Sequence, residues 1–164
     1  MKNILRCSAI CAGLALGLLG CQTTVYEPVE VTQVVNVPNH PKSEIYNKTR
    51  QWFSQYFVSG DSVVDYEDKE TGTIIGNAIA SNGSDPFGLI KYDFEYNIRI
   101  DTKDNKFRAV TKIVRHRNTD SSKTYDVLVV PDTRRDDAER KVGEIVKNIE
   151  NYVLDQKLSS EADW

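Results

Sequence analysis

The chain has 164 residues, with 21 lysines and arginines against 24 aspartates and glutamates, a net charge of −3. That length fits one domain around a single core, and an acid excess without a basic cluster removes nucleic acid from the expected partners, because phosphate binding depends on clustered cations. All three cysteines, Cys7, Cys11 and Cys21, fall at the start of the chain, so the remainder can form no disulfide, thiolate metal site or cysteine nucleophile.

Lys2 and Arg6 open the chain, residues 10–19 are apolar, and Leu18-Leu19-Gly20-Cys21 follows. A cationic start, an apolar run and a small residue before cysteine resemble a bacterial lipoprotein signal peptide, residues 1–20, cut between Gly20 and Cys21. The resemblance implies that Cys21 becomes the N-terminus, carrying a diacylglyceryl thioether and usually a third acyl chain. At about 0.8 kcal/mol per buried methylene, two or three chains anchor a protein durably. The apolar run is shorter than the roughly 20 residues of a membrane-spanning helix; an ordinary secretory signal with a chance cysteine is the bland alternative. Losing Lys2 and Arg6 leaves 19 basic residues against 24 acidic, a net charge of −5. Gln22, in place of an aspartate after the cysteine, resembles the outer-membrane sorting pattern. Residues 21–28 are expected to be a tether, 29–158 a single domain and 159–164 a tail.

In residues 29–37, Val29, Val31, Val35 and Val37 share one face of an alternating strand. Pro38-Asn39-His40-Pro41 breaks it, and Pro41 suits the first turn of a helix. That helix runs to about Phe57, with Ile45, Thr49, Trp52 and Tyr56, flanked by Tyr46 and Phe53, on its buried face. After Gly60-Asp61 come strands over 62–68 and 73–80, joined by a tight turn. A polar loop over 81–88 precedes the most regular strand, 91–100, in which every second residue is apolar, so one face is buried and one wet. Residues 101–106 form a hairpin loop, 107–117 the returning strand, and 125–130 a further short strand. Pro131-Asp132-Thr133 starts the last helix, where Thr133 and Asp136 resemble a capping box. Val142, Ile145, Val146, Ile149, Tyr152 and Val153 form its apolar stripe.

The expected order is β-α-β-β-β-β-α with an extra strand before the last helix: an α+β two-layer sandwich, its antiparallel sheet carrying two helices on one face. Three segments, Arg50-Gln51-Trp52-Phe53, Gly72-Thr73-Ile74-Ile75-Gly76-Asn77 and the hairpin Tyr96-Asn97-Ile98-Arg99-Ile100 to Phe107-Arg108-Ala109, resemble a family of small bacterial lipoproteins of unknown function. The resemblance spans about residues 43–114 and implies a TATA-binding-protein-like fold. It brings no DNA function with it, since function sits in sites.

His40 and His116 have no ligand at metal spacing. Residues 101–106 lack the glycine and glutamate of a calcium loop. Ser54, Ser62 and Ser84 stand in no nucleophile motif. Asp61, Asp65, Glu67, Asp68 and Glu70 cluster on one strand and turn. Asp65 and Glu67 would share a face, so a hydrolase acting on cell-wall material through Asp61, Asp65 and Glu67 is the alternative reading; it requires a cleft that brings two of them together. No cofactor is expected.

One row is unusual for a solvated strand. If Phe107, Ala109, Thr111 and Ile113 face the helices, then Arg108, Val110, Lys112, Val114 and His116 face away, two of the five apolar. Ile74 with Ile75, and Leu128 with Val129, cannot both point inward. A partly apolar outer face is either covered by the chain or meets a partner. The expectation is a non-enzymatic, lipid-anchored envelope protein, at the outer membrane and facing the periplasm. It would bind another envelope component, a protein being the favoured kind, through the sheet face or an edge strand, with Arg108, Lys112 and His116 as contacts.

Overall fold

The structure, a computed structural model, describes residues 28–57, 63–128 and 130–155. Six strands and two helices follow in the order β1 (Val29–Asn36), α1 (Lys42–Tyr56), β2 (Val63–Asp68), β3 (Thr73–Ser84), β4 (Lys91–Lys103), β5 (Lys106–Thr119), β6 (Thr124–Val127) and α2 (Asp132–Val153). The strands form one antiparallel sheet in the order β1-β5-β4-β3-β2. β4 occupies one edge of β5 along its whole length, so β1 and β6 share the other edge end to end, β1 against 106–113 and β6 against 116–119.

Period-2 alternation decides what each face does. Ile74 and Ala78 of β3, Phe94, Tyr96, Ile98 and Ile100 of β4, and Phe107, Ala109 and Ile113 of β5 are buried on the helix side. α1 meets them with Ile45, Tyr46, Thr49, Trp52 and Phe53, and α2 with Ala138, Val142, Val146, Ile149 and Val153. Both helices therefore cover one face, which is the expected α+β two-layer arrangement. Trp52 joins the helices: its indole N–H donates to Asn148 Oδ1 at 2.6 Å, and its ring stacks on Tyr56 at 4.9 Å. Tyr56 itself is 44% exposed, on the rim of the stripe rather than inside it.

Turn chemistry sets the hairpins. Asp104 and Asn105 alone separate the paired Lys103 and Lys106, and Asn105 takes φ +63°, a conformation that asparagine tolerates better than most residues. Those two residues also fasten the sheet to α1, since Asp104 Oδ1 accepts from Lys42 N–H at 2.7 Å and Asn105 Oδ1 from Asn39 N–H at 2.9 Å. Pro41 is thus the residue before the helix rather than its first turn, and the orphan N–H is satisfied by a distant carboxylate. α2 similarly starts after Pro131 with no side-chain cap, so Thr133 and Asp136 form no capping box. Gly72 takes φ +79° in the β2–β3 turn, and a methyl there would lie 2.5 Å from Thr102 Oγ1. Only glycine lets this backbone approach β4, where its carbonyl accepts from both the N–H and the hydroxyl of Thr102.

Candidate functional site

The face of the sheet turned away from the helices is ordered in rows, because antiparallel register sets residues of successive strands side by side. One row runs Asp68, Thr73, Asp101, Arg108 and Val34 from β2 to β1. The next holds Tyr66, Ile75, Arg99, Val110 and Thr32, and a third Asn77, Asn97, Lys112 and Glu30. Beyond them lie Ile79, Glu95 and Arg115, then Ser81, Asp93, Arg117 and Asp126.

Ion pairs and amides knit these rows. Asp101 accepts from Arg108 at 2.7 Å, Arg99 at 2.9 Å and Thr73 at 3.0 Å. Burial pushes the Asp101 carboxyl up, but these donors outweigh it and hold it below the ordinary carboxylate value. Glu95 takes both Arg115 and Arg117 at 3.1 Å, and the same arginines reach Asp126 of β6 at 3.5 and 4.0 Å. Asn97 donates to Asn77 at 2.9 Å, which donates to Asp65. A recess of about 220 Å³ opens beside Arg108, lined by Val34, Asp101, Lys103, Lys106 and Phe107, and a shallower one of about 380 Å³ lies between Arg99, Ile75 and Tyr66.

Arg108 and Lys112 stand on this face as expected, with half-buried Val110 between them. His116 does not. The β4–β5 register shifts between Glu95 and Tyr96, whose partners are Arg115 and Ile113; Val114 is the extra residue of a bulge, which reverses the alternation beyond it. Arg115 and Arg117 take the outer positions, while His116 turns to the helix side, 3% exposed and 6.3 Å from the Phe94 ring. There burial first, then Arg134 and Arg135 of α2, push its imidazole pKa down, so it is neutral near pH 7. Its sequence neighbours Arg115 and Arg117 serve the outer face instead.

A second bulge, between Val64 and Tyr66 of β2, corrects the acidic-strand expectation. Asp65 lies with Asn77 on the outer face, whereas Glu67 sits beside Ile74 on the other and pairs with Arg50 of α1. The two carboxylates do not converge; Asp61 lies outside the described residues. Ile75 is the outward member of its pair and Ile74 is fully buried. Leu128 is exposed, and Val129 lies outside the described residues. Among the described residues no group of three His, Cys, Asp or Glu side chains could hold a metal.

Arg99, Asp101, Glu95, Arg115 and Arg117 are organising residues of the face that pattern reading passed over. The alternation of residues 91–100 already placed Arg99 and Glu95 on the wet side, whereas Asp101 was read as part of the hairpin loop; which cation met which carboxylate depended on register.

A six-stranded antiparallel sheet with two helices on one face and an ordered opposite face that neither described helix covers defines a TBP-like α+β domain. Residues 32–116 match the model of the domain of unknown function DUF4468 with TBP-like fold, and the chain belongs to that family. Two solved bacterial structures share the fold. A TBP-like protein from Parabacteroides distasonis aligns with TM-score 0.61 and 17% identity over 79% of this chain and 95% of its own. A DUF4468 family protein from Bacteroides ovatus aligns with TM-score 0.54 and 16% identity over 79% and 87%. No curated protein matches the chain.

Proposed function

We propose that this protein is a lipid-anchored component of the bacterial envelope, a binding module rather than an enzyme, held at the outer membrane by Cys21 and facing the periplasm. Its helix-free sheet face binds another envelope protein, with Arg108 and Lys112 among the contacts. The observation that carries this reading is the face itself: half-buried Ile75, Ile79 and Val110 set among arginines and carboxylates already fixed in place. Preorganised charge steers an encounter and limits the ordering cost of binding, while the apolar rows supply area. The edge of β2 is a poorer template, because the strand is short and bulged. The anchor rests on the sequence around Cys21, which lies outside the described residues. Among those residues no helix is long and apolar enough to cross a membrane.

The fold name brings no nucleic-acid role, since on this face Arg99, Arg108, Arg115 and Arg117 are each paired with a carboxylate. The test is the double variant Arg108→Glu with Lys112→Glu, crosslinked mildly in intact cells. It should lose the crosslinks of the parent, while losing an exposed pair costs only about 1 kcal/mol in a urea titration. A variant that folds and retains every crosslink would move the binding surface elsewhere.

A further inference from the structure

The two ends of the sheet differ in chemistry. At one end, the turns of β2–β3 and β4–β5 present Lys69, Glu70, Thr71, Asp104 and Asn105. At the other, the β3–β4 turn presents Phe87 and Leu89, 84% and 70% exposed. This second tip is internally braced. Asp85 Oδ1 accepts from Ile90 N–H at 2.7 Å, Asp85 N–H donates to the Ile90 carbonyl at 2.9 Å, and Gly88 N–H returns to the Asp85 carbonyl at 2.9 Å. The loop is tied in a form that turns two large apolar side chains outward.

Charge around the tip is balanced. Asp85 and, in the adjoining β5–β6 turn, Asp120 accept from backbone N–H groups, which hold their carboxyls below the ordinary value and keep them ionised. Lys91 and Lys123 are exposed beside them. Two exposed apolar side chains with lysines beside them fit the headgroup level of a bilayer, where lysine stems snorkel and apolar tips enter the acyl boundary.

The direction of β1 selects this occupant over others. Val29 pairs with Ile113, and β1 runs from there toward Lys106, so its N-terminal end faces the Phe87 tip. From Ile113 to the end of β5 at Thr119 is about 20 Å at strand rise. From Cys21 to Val29 the chain can span at most roughly 27 Å. A fully extended tether is therefore long enough to bring a lipid on Cys21 to the end of the sheet that carries the tip. We propose that residues 86–89 are a second membrane contact, seating the anchored domain on the bilayer through Phe87 and Leu89, with the polar turns directed away. This rests on the Cys21 anchor and adds an orientation to it.

The test uses full-length protein processed in cells, extracted and reconstituted into vesicles of phosphatidylethanolamine with phosphatidylglycerol. A cysteine-reactive environment-sensitive dye is placed through Leu89→Cys or, at the opposite end, Lys69→Cys. Leu89 dye should shift to shorter wavelength and be quenched several-fold more strongly by nitroxide-labelled lipid than Lys69 dye. Adding Phe87→Glu should return the Leu89 dye toward its aqueous emission. Acylated protein that floats with the vesicles while both dyes stay in water would overturn the tip contact and leave the anchor standing. A Leu89 shift that requires added envelope proteins would assign the tip to a protein and equally overturn it. Protein lacking acyl mass on Cys21 would overturn the anchor reading and this inference with it.

Discussion

Asp101 is the residue on which the outer face turns. It is partly buried yet takes two guanidinium groups and a hydroxyl from three strands. Its native pKa lies below the ordinary 3.8, so its contribution to stability is complete above that value and lost as pH falls through the native one. Asp101→Asn should lower stability by about 1 kcal/mol near neutrality, the size of a modest ion-pair cluster. Urea titrations at a series of pH values should show the difference from the parent closing in acid; a constant offset would mean that shape, not charge, is at issue. His116 shows the opposite economy. It is a ring packed beneath α2, and its neutrality suits its burial.

Among the elements, β4 was legible from Lys91 to Ile100, where its alternation matches the buried set, while the hairpin loop read over 101–106 narrows to Asp104 and Asn105 because pairing continues to Lys103 and Lys106. β5 was legible only as far as Ile113. A single added residue reverses facing without altering composition, so Val114-Arg115-His116-Arg117 reads equally well in either phase, and only pairing with Glu95 and Tyr96 decides. The same applies to Asp65 in β2. Arg108 and Lys112 were placed correctly because they precede the bulge; His116 was misplaced because it follows it. The braced tip at Phe87 was hidden in a segment read as polar loop, since composition does not display the local bonds from Asp85 to Phe87 and Ile90 that brace it. α1 was the easier case: Trp52 repeats with Ile45 and Thr49 at helical spacing, and all three are buried. Trp52→Ala removes the ring and the bond to Asn148 of α2, at an expected cost of about 3–5 kcal/mol. An unchanged denaturation midpoint would show that the α1–α2 contact contributes nothing.

At the scale of the molecule, the domain is asymmetric in two directions. Helices cover one face and leave the other to ordered charge; apolar residues mark one end and polar turns the other. Both asymmetries acquire a use if the chain is tethered from the N-terminal side of β1: the tip lies toward the bilayer, and the sheet face stands free to meet a partner alongside. The anchor at Cys21 is therefore the central claim. Its most direct measurement is the intact mass of the full-length protein after expression in a bacterial host and extraction from the membrane fraction. The expected species is a chain beginning at Cys21 with two or three acyl chains, lost, with release from membranes, in Cys21→Ser. A mass that begins at Met1, or a processed chain carrying no acyl group, would contradict it.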